Sequence, residues 1–238
     1  MTSRAPDTSP MFYARVAGIA YLVITFAGVA YGALVESRLV VSGNHAETAN
    51  NIIAHESLFR IGIVAVLIIY LSVVVASWAL YLILRTVRED LALLALLLRL
   101  AEAIVGAATV LISLAALSLL SGQGSSSALE PEQLQSLAGR FIDVRTAGLD
   151  VVLVFIGLGA TISCYLLFES RYVPRPLAAW GIFTYVSLLF LALVSILFPR
   201  HPLVLQSVLY SVGGTFELVF GLWLVFKGIN LQQWEKYA

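Results

Sequence analysis

Leu91–Leu120 reads LALLALLLRLAEAIVGAATVLISLAALSLL, a run of thirty residues in which two full charges, Arg99 and Glu102, interrupt leucine, alanine and valine. Crossing a hydrocarbon core of roughly 30 Å takes about 20 helical residues, so this run is long enough to span a bilayer. The charges do not forbid it. On insertion scales an Arg or Asp at mid-helix costs about 2.5–3.5 kcal/mol, while each Leu favours insertion by about half a kcal/mol. Twelve leucines offset the pair.

The remainder of the chain has the same character. Sixty per cent of its 238 residues are hydrophobic, 12% are charged, and the mean hydropathy is +0.94. A soluble domain carries roughly a quarter charged residues, so the composition is that of an integral membrane protein. The formal net charge is zero and no Lys/Arg tract occurs, which argues against nucleic acid as a partner and against a polybasic lipid-binding surface. The single cysteine, Cys164, excludes an internal disulfide and reads as a packing residue in an apolar segment.

Six stretches satisfy the length criterion: about 12–35, 58–84, 91–120, 147–168, 177–198 and 203–226. They leave an N-terminal tail over 1–11 and a C-terminal tail over 227–238. Val16–Val35 is longer than the core of a signal peptide and no small-residue cleavage site follows it, so it is read as a retained first span. Pro174 and Pro176 punctuate one turn, and Pro199 and Pro202 in FPRHP another. Two longer connections carry helical periodicity of their own. Ser42–Ser57 has Asn44 three residues before Glu47, a capping pattern, and Glu130–Val144 repeats Leu134, Leu137, Phe141 and Val144. SGQGSSS, Ser121–Ser127, reads as a flexible linker. The expected fold is all-α, an integral membrane bundle of six transmembrane helices with two short outer amphipathic helices.

Lys and Arg favour the cytoplasmic side. Arg4, Arg15, Arg85, Arg88, Arg171, Arg175, Lys227 and Lys236 fall on the side of the termini, eight against Arg38, Arg140, Arg145 and Arg200 opposite. Both termini are therefore expected in the cytoplasm of a bacterial plasma membrane. His45, His55 and His201 then face outward.

The intramembrane charges are the candidate site. Arg99 and Glu102 stand three apart, so they share a helix face. At about 1.5 Å per residue, Arg99 lies roughly 14 Å deep, Glu102 roughly 18 Å, and Glu217 of the sixth span roughly 15 Å. The expectation is a buried triad joining the third and sixth helices, with Arg99 facing Glu217 and one surplus negative charge. Nearer the outer boundary, Glu56 and Arg60 open the second span, and Asp143, Arg145 and Asp150 flank the fourth. The two groups would line a polar path from outside to mid-membrane. Intramembrane ion pairs also fix helix register without binding anything, and that alternative stays open.

Other chemistry is not supported. A Schiff base needs a lysine within a span, and none is present. The three histidines fall in loops or at a boundary, which does not suit haem, and the spacing of His45, Glu47, His55 and Glu56 matches no compact metal motif. Walker, HExxH and nucleophile-elbow patterns are missing. No metal or cofactor is expected. Gly28 and Gly32 form GxxxG in the first span, and Gly213, Gly214 and Gly221 mark the sixth; close packing within the bundle is the expected use, with a dimer interface as the alternative. Trp78, Trp180, Trp223 and Trp234 read as interfacial anchors.

ARVAGIAYL (Ala14–Leu22), ESLFRIG (Glu56–Gly62), RLAEA (Arg99–Ala103), YVPRPLAAW (Tyr172–Trp180) and ELVFGLWLVFKG (Glu217–Gly228) together resemble a bacterial family of multi-pass membrane proteins classed as a domain of unknown function. The resemblance runs from Arg15 to Gly228. It implies that Arg60, Arg99, Glu102 and Glu217 are characteristic polar positions, and it implies no activity. Ala178 and Ala179 stand where the family has a glycine.

Three functional readings follow. In the first, a small solute or ion is bound or transported through an outward-facing cavity ending at Arg99, Glu102 and Glu217. In the second, the chain is a non-catalytic accessory or assembly subunit whose outer helices meet a membrane-protein partner. The third, an intramembrane enzyme, lacks a candidate nucleophile beside the triad.

Overall fold

The computed structural model describes residues 9–121, 130–198 and 203–238. Within them six helices are long and apolar enough to cross a membrane. They are the first span (Pro10–Leu39), the second (Glu56–Leu84), the third (Glu89–Leu120), the fourth (Pro131–Ser170), the fifth (Arg175–Leu197) and the sixth (Leu203–Phe226). No strand occurs among the described residues. The chain is an all-α, multi-pass membrane protein. Arg4, the linker from Gly122 onward, and the Pro199–Pro202 turn with Arg200 and His201 lie outside the described residues.

The spans are apolar on every side, as helices surrounded by lipid and protein must be. Large residues such as Leu71, Ile104, Leu111 and Phe190 face outward, while Ala14, Ala17, Ala76, Ala79, Ala92 and Ala95 are buried. Small residues facing inward let backbones approach, the usual packing mode where no hydrophobic force separates protein from lipid. Each span packs on its neighbours in sequence, and the sixth returns to pack on the first. The result is a ring of six helices closed by the contact between first and last. That seam is tight: a Cβ on Gly18 would lie 2.8 Å from the Gly221 carbonyl oxygen and 2.9 Å from Leu224 Cβ.

Gly28 and Gly32 behave otherwise. Among the described residues nothing lies within 4 Å of a Cβ built on either, so with them the GxxxG motif makes no close packing contact. Both continue the buried stripe of Ala14, Tyr21 and Thr25, but the bundle opens at this end, and Gly32 lines a cavity.

Of the two amphipathic segments, the first is a separate helix, His45–Ala54, capped by Asn44, whose side chain accepts the Glu47 amide at 3.0 Å. The second is continuous with the fourth span, one helix of 40 residues. At about 1.5 Å per residue this helix is roughly 60 Å long, twice the hydrocarbon thickness, so its first turns stand clear of the bilayer. His45–Ala54 lies against those turns. Gly139 makes the room, since a Cβ there would sit 2.4 Å from His45 Cβ, and Gln135 Nε2 donates to Asn50 Oδ1 at 3.2 Å.

The first span also runs past its apolar stretch. Its α-helix passes at Gly32–Glu36 into a π-helical turn before ending at Leu39. In an α-helix, residues five apart point roughly 140° away from one another; the i→i+5 turn brings them nearer to one face. Tyr31 and Glu36, five apart, are hydrogen-bonded there, Tyr31 Oη donating to Glu36 Oε2 at 2.6 Å.

Candidate functional site

The ring interior holds the buried polar residues. Arg99 and Glu102 on the third span are 4% and 1% exposed, and Arg99 Nη1 lies 2.6 Å from Glu102 Oε2. The guanidinium N–H does not point along that line, so Glu102 Oε2 accepts no directed hydrogen bond despite the close ionic contact. The fourth span gives way to the arginine: a Cβ on Gly159 would be 3.0 Å from Arg99 Cγ and 3.2 Å from the Ala95 carbonyl oxygen.

Glu217 is placed differently. It is half-buried, and its Oε1 accepts a hydrogen bond of 3.2 Å from Tyr185 Oη on the fifth span. Tyr21, Tyr185 and Glu217 all lie within electrostatic reach of Arg99, and Glu217 within reach of Glu102. Among the described residues, however, the ion pair of Arg99 is made to Glu102. The triad therefore reaches the sixth span through space and through tyrosine hydroxyls, without a bridge from guanidinium to Glu217. Tyr185 is fixed against Phe216 edge-on at 5.6 Å, Phe216 stacks on Phe220 at 5.5 Å, and Tyr21 meets Phe220 edge-on at 5.1 Å. Cys164 packs close by, 2.6 Å from where a Gly181 Cβ would be.

A second polar cluster lies at the end opposite the termini. Arg145 of the fourth span is 6% exposed. Its Nη2 donates to Glu36 Oε1 at 2.6 Å and its Nη1 donates to Tyr31 Oη. The remaining nitrogen, Arg145 Nε, is buried and has no hydrogen-bond partner among the described residues. Above the cluster opens a cavity of about 1020 Å³ lined by Glu36, His45, Asp143 and Asp150. Below it lies a smaller cavity of about 200 Å³, walled by Phe59, Tyr70, Thr109 and Ser113. Tyr31 and Leu149 line both, and Arg145 lines the smaller. Tyr70 in turn lies within electrostatic reach of both Glu102 and Arg145.

The residues singled out in the sequence thus separate. Asp150 lines the larger cavity. Glu56 and Arg60 pair with each other at 2.7 Å on the surface of the second span, with side chains 41% and 53% exposed, and line neither of these two cavities. Neither do Arg99, Glu102 or Glu217. His45 Nε2 contacts Asp143 Oδ2 at 2.7 Å, and His55 Nδ1 donates to the Asn51 carbonyl at 3.2 Å. Sequence reasoning missed the partnership of Glu36, Tyr31 and Arg145. The available signal was a glutamate just beyond the first apolar run, opposite an arginine just before the fourth.

A family model described as Domain of unknown function (DUF4386) matches residues 16–228. The chain belongs to this family. No curated protein and no solved structure matches it. The DUF4386 segment takes in the inner cluster, the Tyr31–Glu36–Arg145 cluster and both cavities beside the latter. Its match ends at Gly228, which has a positive φ of 68° just after the sixth span, the position where a left-handed glycine commonly ends a helix.

Proposed function

We propose that the protein binds, and passes toward mid-membrane, a small cation or cationic solute that enters at the end opposite the termini. The observation that carries this reading is the series of polar groups at that end: an open cavity with three carboxylates and one histidine in its wall, a smaller cavity beneath it, Tyr31 shared between the two, and Arg145 in the smaller cavity bonded to Tyr31 and to Glu36 of the larger. Carboxylates at a mouth raise the local concentration of cations. Intramembrane charge is a functional-site hypothesis by default. Glu217 is assigned the exchangeable carboxylate, because its contact is a neutral tyrosine hydroxyl and it is half-buried, whereas Glu102 is committed to Arg99. The inner cluster carries one surplus negative charge when ionised, which a proton or the bound cation neutralises.

The test is the thermal stability of the purified full chain in detergent, titrated with monovalent cations and tetraalkylammonium ions at several pH values. Wild type is expected to be stabilised by one of them in a pH-dependent way, and Glu217→Gln to lose that response while melting at a similar temperature without ligand. A wild type indifferent to every cation, or a Glu217→Gln variant that responds as wild type does, defeats the reading.

A second reading has its own support. Arg99 and Glu102 are buried and line neither of the two cavities at that end, as expected of an ion pair that sets helix register in an accessory subunit.

We also propose a bacterial inner-membrane location with both termini cytoplasmic. Arg85, Arg88, Arg171, Arg175, Lys227 and Lys236 gather at the end of the termini, in agreement with the charge rule. A C-terminal reporter that is active only in the cytoplasm is expected to be active; one active only after export would reverse the assignment.

A further inference from the structure

At the end of the bundle that carries the termini, a cavity of about 610 Å³ opens between the fourth-to-fifth turn and the exit of the sixth span. Arg171, Arg175 and Lys227 line it, together with Trp223 and Asn230, and no carboxylate does. Arg171 and Arg175 share one short turn and Lys227 follows the sixth span, so the three form no Lys/Arg tract in the sequence. All three are exposed, and among the described residues none takes part in an ion pair.

The cavity is built rather than incidental. The Asn230 amide donates to the Tyr172 carbonyl at 2.9 Å, tying the chain after the sixth span to the turn that forms the other wall. Tyr172 is anchored below by the Thr86 hydroxyl at 2.9 Å. Arg175 lies over the Phe168 ring, 5.1 Å from its centroid, which limits where its guanidinium can go. Arg171 closes the fourth span with φ of 58°, a left-handed position at which glycine or asparagine is usual. An arginine kept where glycine is less strained places a cation at the cavity mouth. Trp223 sits at the same level, where indole rings prefer the headgroup region.

We propose that this cavity binds a phosphate-bearing anion, supplied in the bilayer by the headgroup of an anionic phospholipid. Basic pockets between helices at a membrane face recognise such headgroups by charge, and planar guanidinium groups bind phosphate oxygens in pairs. The inference is independent of the cavity at the opposite end.

The experiment follows thermal unfolding of the full-length protein in neutral detergent with added dioleoyl phosphatidylglycerol, dioleoyl phosphatidylcholine or inorganic phosphate. Phosphatidylglycerol is expected to raise the melting temperature and phosphatidylcholine to leave it unchanged. The R171Q/R175Q/K227Q variant is expected to melt as wild type does without lipid and to lose the shift, with affinity falling roughly fivefold per cation removed. Should the triple variant fail to fold, K227Q alone carries the test through its own fivefold loss. If inorganic phosphate reproduces the shift, and the variant abolishes it, the occupant is free phosphate in the same pocket. An equal response to phosphatidylcholine, no response to any anion, or an undiminished shift in the variants overturns the proposal.

Discussion

Replacing Arg99 by leucine is expected to destabilise the folded bundle by about 3–5 kcal/mol, the range for breaking a buried ion pair by removing one partner. The cause is the carboxylate left behind. Glu102 is 1% exposed, and its Oε2 has the guanidinium as its close contact and no directed hydrogen bond. The double change Arg99→Leu, Glu102→Leu removes both charges and is expected to recover most of the loss, since replacing a buried pair with apolar side chains is often neutral or better. Unfolding of the single and double variants in mixed detergent reads this directly. A double variant as unstable as the single would mean that Glu217 or the tyrosines around Arg99 depend on the guanidinium as well. The register reading would then be too simple.

The second large effect concerns the seam of the ring. Gly18→Leu places a side chain where even a Cβ would meet the Gly221 carbonyl oxygen at 2.8 Å. Backbone cannot swing aside as the tip of a side chain can, so the first and sixth spans must separate along their most intimate contact. Overpacking of this kind costs typically 1–3 kcal/mol, and about 3 kcal/mol is expected here. Gly28→Leu, at a position with nothing within 4 Å of the added Cβ, is expected to change stability by less than about 0.5 kcal/mol. Unfolding of the two variants side by side decides the matter, and the reverse ranking would place the tight contact at the GxxxG motif.

That contrast marks what was legible in the sequence. Six apolar runs of bilayer length, free of strand patterning, specify an all-α membrane bundle because lipid leaves the backbone few other ways to satisfy its hydrogen bonds. The pairing of Arg99 with Glu102 was equally legible, since a spacing of three fixes a shared face whatever the surroundings. Glu217 was harder. Its depth follows from counting residues, but its partner depends on which way the fifth span turns Tyr185, and rotation of a uniformly apolar helix leaves no periodic trace. The Glu36–Arg145 contact was hidden for another reason. It requires the first helix to continue past its apolar stretch through a π-helical turn, and no local signal in GALVE announces such a turn. GxxxG was ambiguous because the motif records that two backbones can approach, while among the described residues none approaches Gly28 or Gly32 where the bundle opens.

The forty-residue helix has a mechanical consequence. Arg145, bonded to Glu36 in the wall of the larger cavity, and Gly159, pressed against Arg99, belong to the same uninterrupted rod, about 21 Å apart at 1.5 Å per residue. Leaning that rod by about 5° about its upper clamp would carry its lower contact sideways by roughly 2 Å, more than the space beside the arginine allows. What happens at the rim and what happens at the buried pair are therefore two ends of one lever.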